Sequence, residues 1–348
     1  MKIREVEVVP YALPFKQPYV TAAGRLDRRE IALLRLRDEA GLVGLGEAVP
    51  LSLRGGTALA DVVEELERLG ERGSLDEAAV ASLSPPARCS ALTALLDLRG
   101  RRAAAEGGGS SASAPAVRCN ATLVAGEPAA VAAEAERWAA DGFSTFKLKL
   151  GAGDDVGQVR AVREAVGPEA RIRIDANAAW DLETAKRTLA ELEPYEIELA
   201  EQPVAGIDES AELAGSTSIP LAADESVASR ADAERAAAAG AFAMTGIKLS
   251  KVGGPEAAIE IAELLPAYVT SALDGPVGIA AAAQVATTLG EVRHGRDAPL
   301  AQGLATQRLF ASTIASVECE LDGDVLRPPP GPGLGVEIDE QALRAHRI

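Results

Sequence analysis

Two stretches, Thr145-Phe-Lys-Leu-Lys-Leu150 and Arg171-Ile-Arg-Ile-Asp-Ala-Asn177, decide how this chain is read. Each is a short β-rich run that ends on ionisable residues. The design repeats downstream. A run over 196–201 ends in Glu201-Gln-Pro203, one over 219–224 ends in Asp224-Glu-Ser226, and one over 243–249 carries Lys248. From Lys149 through Asp175, Glu201 and Asp224 to Lys248 the steps are 26, 26, 23 and 24 residues. Each step is about one strand-and-helix unit. The ionisable groups therefore recur at one height on neighbouring strands. In a parallel barrel that height is the C-terminal mouth, where such folds carry their active sites.

Outward from these runs the same texture continues. Strands are expected at 118–123, 145–150, 171–176, 196–201, 219–224, 243–249, 268–273 and 299–304. Helical patterns at 128–140, 155–166, 182–191, 231–239 and 255–265 lie between them. Pro128 and Pro255 fall in first turns, where a helix accepts proline. Alternation of strand and helix predicts a parallel sheet, and eight units favour a closed barrel over an open sheet. The part before residue 113 reads differently. Strands at 3–11 and 30–37 and a turn-like strand with three glycines at 41–47 precede helices at 58–73 and 89–105, the latter carrying Asp97 and Arg99. That order suggests an α+β module. The Gly/Ser segment 107–115 has the composition of a linker. The expected division is an α+β module over 1–112, a barrel over 113–315, and a tail over 316–348 that leaves the barrel and completes the first module.

Composition narrows the function classes. The 348 residues hold 35 Lys+Arg and 52 Asp+Glu, a net charge of −17, which argues against a phosphate-binding surface and so against nucleic acid. The apolar residues of Met1 to Phe15 are broken by charges, so no signal-peptide core is expected there. The weakly polar run 275–290 contains Gln284, Thr287 and Thr288 and is too short for a bilayer, so no membrane partner is expected. Cys89, Cys119 and Cys319 are odd in number and far apart, which fits neither a disulfide framework nor a thiolate zinc site. A reduced cytoplasm is the expected compartment. His294 and His346 are expected at the surface, so two-histidine mechanisms fall away. Oligomeric state stays open, a homo-oligomer included.

A lone Asp at a strand end is more often a helix cap than a ligand, and two lysines alone are an ordinary solvated face. The joint pattern carries more. Strand alternation sets Lys147 and Lys149 on one face and Phe146 and Leu148 on the other. In a barrel wrapped by helices the apolar pair faces outward and the lysines face the mouth. Asp175, Glu201 and Asp224 would converge there and repel one another without a cation. Oxygen donors with no His or Cys favour Mg²⁺ or Mn²⁺ over Zn²⁺. Lysines beside a divalent cation and beside each other are expected to lose basicity, so one can serve as a base near neutral pH. A proton α to a carboxylate is very weakly acidic, and its removal needs the developing enediolate to be stabilised.

At these residues the chain resembles the enolase superfamily, in its muconate cycloisomerase subgroup. The resemblance rests on Lys147-Leu-Lys149, Asp175-Ala-Asn177, Glu201-Gln-Pro203, Asp224-Glu-Ser226 and Lys248 with Gly253-Gly254. It extends to Gly44-Leu-Gly-Glu-Ala48 and Ala91-Leu-Thr-Ala-Leu-Leu-Asp-Leu98, and so covers nearly the whole chain. It implies an α/β fold, a modified (β/α)8, TIM-like (β/α)7β barrel with an α+β capping domain. It implies that Asp175, Glu201 and Asp224 hold Mg²⁺ or Mn²⁺, that Lys149 is the base and Lys248 its partner on the opposite face, and that Lys147 adjoins the substrate carboxylate.

Two loops bear on the reaction. Ser271-Ala-Leu-Asp-Gly-Pro-Val-Gly278 and Ala301-Gln-Gly-Leu-Ala-Thr306 resemble those of o-succinylbenzoate synthases, with Asp274 in a Glu position and Ala305 in a Gly position. Dipeptide epimerases carry Asp-x-Asp where this chain has Gln302-Gly-Leu304. The resemblance implies a hydro-lyase of menaquinone biosynthesis acting on a small-molecule carboxylate, with N-succinyl or N-acylamino acid racemisation, cycloisomerisation and dipeptide epimerisation as alternatives. A metal-binding barrel without catalysis would lack a lysine or a carboxylate, and none is missing. Asn177, Ser271, Thr21 and Gly303 are expected to touch the substrate. The loop Val20-Thr-Ala-Ala-Gly24 with Arg25, Arg28 and Arg29 is expected to face the site, either as a cationic wall or as solvated arginines.

Overall fold

The computed structural model describes residues 2–22, 24–50, 56–71, 75, 77–108, 114–290 and 299–348. Three antiparallel strands, Ile3–Thr21, Gly24–Asp38 and Val43–Ala48, form the N-terminal sheet. Both faces of this sheet are covered, which is why Ile31-Ala-Leu-Leu34 reads as a continuous apolar run. Val9, Tyr11, Leu13, Ile31 and Leu33 join the main core toward the barrel. Ala32, Leu34 and Leu36 pack with residues of the helices Leu59–Glu71 and Pro85–Ala105. The glycines of the third strand serve this packing, not a turn. A Cβ on Gly44 would stand 2.1 Å from Ala94 O, and one on Gly46 2.0 Å from Ser90 O. Only glycine lets the long helix lie that close.

The barrel strands are Ala121–Leu123, Thr145–Lys149, Arg171–Asp175, Ile197–Glu201, Leu221–Ala223, Met244–Ile247 and Ala267–Val269, all parallel and in sequential order. The helices between them start on the local signals expected of them. Asp154, Asp181 and Ser229 accept hydrogen bonds from Gly157 N, Thr184 N and Asp232 N, and Pro128 and Pro255 open their helices. The eighth unit is not a full strand. Gln302 and Gly303 make single parallel bridges to Cys119 on one edge and Thr270 on the other, and so close the seam between the first and seventh strands. Phe146 and Leu148 lie in the core, while Lys147 and Lys149 turn inward.

The tail returns to the N-terminal sheet. Glu320–Asp322 pairs with Val325–Arg327, which pairs with Val117–Arg118. The last helix, Glu340–His346, leads to Arg347, which bridges Tyr11. Asp97 ties three segments together. Its carboxylate accepts from Leu45 N at 2.8 Å, Leu334 N at 2.7 Å and Arg101 Nε at 2.9 Å. His346 is half-buried rather than free at the surface, because Ser312 Oγ and Ala342 O hold its two ring nitrogens. His294 and the middle of the Gly/Ser segment lie outside the described residues. Among the described residues no helix is long and apolar enough to cross a membrane.

Candidate active site

The expected convergence at the barrel mouth is present. Asp175 and Glu201 are the last residues of their strands, and Asp224 and Lys248 are the first past theirs. Oxygens of Asp175, Glu201 and Asp224 all lie within 4.8 Å of one another, and all three residues are buried. Lys147 Nζ donates to both Glu201 oxygens at 2.7 Å and lies 2.8 Å from Asp175 Oδ2. Lys149 Nζ donates to Asp175 Oδ2 at 2.5 Å and to Asn177 Oδ1 at 3.2 Å. Lys248 Nζ donates to Asp224 Oδ2. The backbone just past these strands is strained. Asn177, Ala178, Gln202 and Leu273 have φ of 52°, 60°, 38° and 66°, a region non-glycine residues avoid and which clusters at functional sites.

The electrostatics of this cluster run opposite to the sequence expectation for two of the lysines. Burial works to lower the Lys147 and Lys248 ammonium groups, but the carboxylates outweigh it and hold both above the ordinary lysine range. The reciprocal holds for two of the acids. Burial would raise Asp175 and Asp224, yet the facing lysines hold both below the ordinary carboxylate range. The expectation of weakened lysines presumed a dication on the carboxylates; here the ammonium groups themselves neutralise them. The donor set is three buried carboxylates with no nitrogen or sulfur among them. It fits a hard divalent cation.

Several participants were not singled out from sequence. Lys251 Nζ donates to Asp224 Oδ1 at 2.8 Å and to Asp224 O. It stands three residues after Lys248 on the short helix Leu249–Val252, and that spacing on a helical turn was the available signal. Tyr268 OH donates to Glu201 Oε2 at 2.6 Å from inside the barrel. Gln202 Oε1 accepts from Asp224 N and Ser226 N, each at 3.0 Å, and so pins one strand end to the next.

A cavity lies between this mouth and the N-terminal sheet. Lys147, Lys149, Asn177, Lys248, Ser271, Gly303 and Thr21 all line it, as expected, together with Tyr19, Leu26 and Arg29. Thr21 pairs with Gly24 at the tip of the first hairpin. Of the three arginines, only Arg29 reaches the cavity. Arg25 and Arg28 are exposed and paired with Asp27 and Glu30. Gly303 presses its backbone against Thr270, where a Cβ would stand 2.4 Å from Oγ1. Ser271 Oγ is engaged inside its own turn, donating to Asp274 Oδ2 at 2.7 Å and accepting from Asp274 N at 2.8 Å.

A parallel barrel under an antiparallel sheet, with three carboxylates and flanking lysines at its mouth, defines a class of proton-abstracting enzymes. The family model described as "Enolase C-terminal domain-like" matches residues 130–342, and the chain belongs to this family, within the enolase superfamily. Its relatives agree with the muconate cycloisomerase subgroup. The o-succinylbenzoate synthase of Thermobifida fusca (strain YX) is 39% identical over 214 residues, which span 59% of this chain and 63% of that enzyme. The match thus covers less than two thirds of that relative. The crystal structure of 2-chloromuconate cycloisomerase from Rhodococcus opacus 1CP aligns over 100% of both chains, with a TM-score of 0.90 and 28% identity. The dipeptide epimerase from Enterococcus faecalis V583, solved with Mg and the dipeptide L-Leu-L-Tyr, aligns over 97% of this chain and 100% of its own, with a TM-score of 0.86 and 26% identity. Proteins similar to this chain therefore carry three differently named activities.

Proposed function

We propose that this protein is a Mg²⁺-dependent o-succinylbenzoate synthase. It would dehydrate 2-succinyl-6-hydroxy-2,4-cyclohexadiene-1-carboxylate to o-succinylbenzoate, the step known from menaquinone biosynthesis. The observation that carries this reading against the epimerases is the end of the eighth unit. Gln302 Oε1 accepts from Val269 N at 2.7 Å, its backbone bridges Cys119, and Gly303 fills the remaining space. That segment offers no carboxylate to an ammonium group, so an unblocked dipeptide would leave a buried charge unpaired. The 39% identity to an o-succinylbenzoate synthase supports the same choice.

Asp175, Glu201 and Asp224 would hold the cation, which when bound stabilises negative charge on the substrate carboxylate. Lys147 Nζ binds and orients that carboxylate from the barrel side. Lys149 Nζ takes the α-proton, and Asn177 Oδ1, 3.2 Å away, orients it. Lys248 stands on the other side of the triad, against Asp224. Its ammonium keeps a positive charge facing the developing anion. The C–O bond then breaks. The hydroxyl leaves on the face of Lys149, takes up the proton held there, and departs as water. The product ring is aromatic, which supplies driving force that the protein need not provide.

A second reading shares this machinery. With lysines on both sides of the triad, an N-succinyl amino acid could lose its proton to one and regain it from the other. Dehydration is expected as the main activity and racemisation as a lesser one. Purified protein with Mg²⁺ should be given both substrates, with and without excess chelator. Undetectable dehydration, or racemisation far faster than dehydration, would overturn the assignment. Full turnover in chelator would remove the metal from it.

A further inference from the structure

Asp224 carries a lysine on each of its side-chain oxygens. Lys248 Nζ donates to Oδ2, while Lys251 Nζ donates to Oδ1 at 2.8 Å and to the main-chain oxygen of the same residue. The two lysines stand one turn apart. Lys248 is the cap residue of the short helix Leu249–Val252, and its carbonyl accepts from Lys251 N at 3.0 Å and Val252 N at 3.1 Å. Gly253 N and Gly254 N close that turn on Leu249 O, at 2.9 and 3.0 Å. A spacing of three on one turn brings both side chains to a single carboxylate.

Their surroundings differ. Lys248 lines the cavity. Lys251 is buried, is not among the lining residues, and grips Asp224 at two atoms. The Asp224 N–H is held as well, by Gln202 Oε1 at 3.0 Å. The amide, the carbonyl and Oδ1 of Asp224 are therefore all fixed by groups outside the cavity lining, and Oδ2 is the atom whose partner can turn toward the cavity. A divalent cation makes this difference matter. Asp175, Glu201 and Asp224 already meet Lys147, Lys149, Lys248 and Lys251. A dication set among the carboxylates repels all four lysines. Lys147, Lys149 and Lys248 have the cavity to turn into; Lys251 does not.

We propose that Lys251 is a positioning residue of the metal site. It keeps Oδ1 of Asp224, so that a divalent cation takes Oδ2 and drives Lys248, not Lys251, off the carboxylate and into the cavity. Loading the metal and presenting Lys248 to the substrate are then one event. The inference rests on the triad holding a divalent cation, as in the proposed function, and holds whichever substrate follows.

Metal binding tests it without turnover. Mn²⁺ is titrated by calorimetry into the full chain and its variants, with no substrate present. Lys251→Met should weaken Mn²⁺ binding roughly 10- to 100-fold, the usual result of losing a group that orients a metal ligand. Lys248→Met should bind Mn²⁺ at least as tightly as the unaltered protein, because no lysine has to be displaced from Oδ2. Lys251→Arg, which keeps donors at this position, should recover part of the loss. A lysine that acted by charge alone would show the opposite sign at position 251, since its removal would strengthen binding. Mn²⁺ binding undiminished in Lys251→Met, or weakened alike in both Met variants, would overturn the proposal. So would a loss that follows a lowered thermal midpoint of the metal-free Met variant and that Lys251→Arg does not recover, which marks a packing role. A crystal structure of the unaltered chain with Mn²⁺ decides the geometry even if the Met variant does not fold. Lys251 Nζ should remain on Oδ1 and Lys248 Nζ should have left Oδ2; Lys251 displaced, or both Asp224 oxygens on the metal, would refute the assignment. No Mn²⁺ binding in the unaltered protein would overturn the metal reading and this inference together, whereas tight binding indifferent to Lys251 would remove this inference alone.

Discussion

The cavity has two walls, built by different rules. The barrel wall takes its groups from strand ends that succeed one another every 23 to 26 residues, so each side chain stands where its own strand delivers it. The opposite wall comes from one hairpin, Tyr19 through Arg29, and a hairpin tip stands only where its sheet is docked. That docking depends on residues distant in sequence: Tyr11, Leu13, Ile31 and Leu33 in the main core, Asp97 under the tail, and Glu47 against the helix Pro276–Leu289. The chemistry is local to a rigid ring of strands, while the shape of the site against its substrate is a matter of long-range packing. Damage to the first wall should stop the reaction and spare the fold. Damage behind the second should loosen the fold first.

The largest effect is expected on the barrel wall. Lys149→Ala should cut turnover by about 10³-fold or more, the scale of a lost general base. It should also stop exchange of the substrate α-proton with deuterated solvent. Asp175 keeps Lys147 at 2.8 Å in that variant, so the buried carboxylate retains a partner and the thermal midpoint should change little. Exchange at the original rate in a folded Lys149→Ala protein would show that another group is the base.

This contrast also explains what the sequence could reveal. Lys147, Lys149, Asp175, Glu201, Asp224 and Lys248 were legible because strand parity and the repeat length act over a few residues and leave little freedom. The seven strands are legible for the same reason, whereas 299–304 reads as a full strand and in the structure closes the seam with two bridges only, at Gln302 and Gly303. Arg29 could not be told from Arg25 and Arg28 in advance. The alternation of the strand is clear, but both faces of the sheet are covered, and which arginine meets the cavity depends on how the hairpin tip is placed. Ser271 is expected to touch the substrate, and it lines the cavity; what the sequence does not show is that the carboxylate three residues on, in Asp274, also holds its hydroxyl. Tyr268 was hidden because an apolar strand of three residues gives no hint that its tyrosine reaches Glu201.

The next largest effect should appear behind the second wall. Asp97 joins the long helix, the third strand and the tail through Leu45 N, Leu334 N and Arg101 Nε. Asp97→Ala leaves buried donors without an acceptor. It should cost about 3 kcal/mol of stability, while the triad, supported by the barrel alone, should keep its metal requirement. Urea unfolding measures the loss, and a change below about 1 kcal/mol would show that the tail is held by other contacts.

The smallest expected effect separates the two walls by pH. Glu47 is the last residue but one of the third strand, and it bridges the sheet to the barrel. Tyr11 OH donates to its Oε1 at 2.5 Å and Gly278 N to its Oε2 at 2.7 Å. Burial pushes its carboxyl from the ordinary value of 4.5 up to about 7, with Tyr11 and Gly278 holding it down and Asp274 adding to the rise. An acid whose folded value is raised binds more protons when folded than when unfolded across that window. Its contribution is therefore fully present below pH 4.5 and is lost as pH rises through about 7. In the Glu47→Gln variant the amide at this position does not titrate. It also sets an N–H against one of the two donors, a cost that is the same at every pH. Glu47→Gln should accordingly be less stable than the parent at pH 5, and the gap should shrink by on the order of 2 kcal/mol by pH 7. Asp274 titrates in both proteins and largely cancels in the difference. Denaturation midpoints at pH 5, 6 and 7 give the gap directly. A gap constant across that range would mean that Glu47 is already ionised in the folded protein, and that the sheet is bound to the barrel by a charged bridge at every pH.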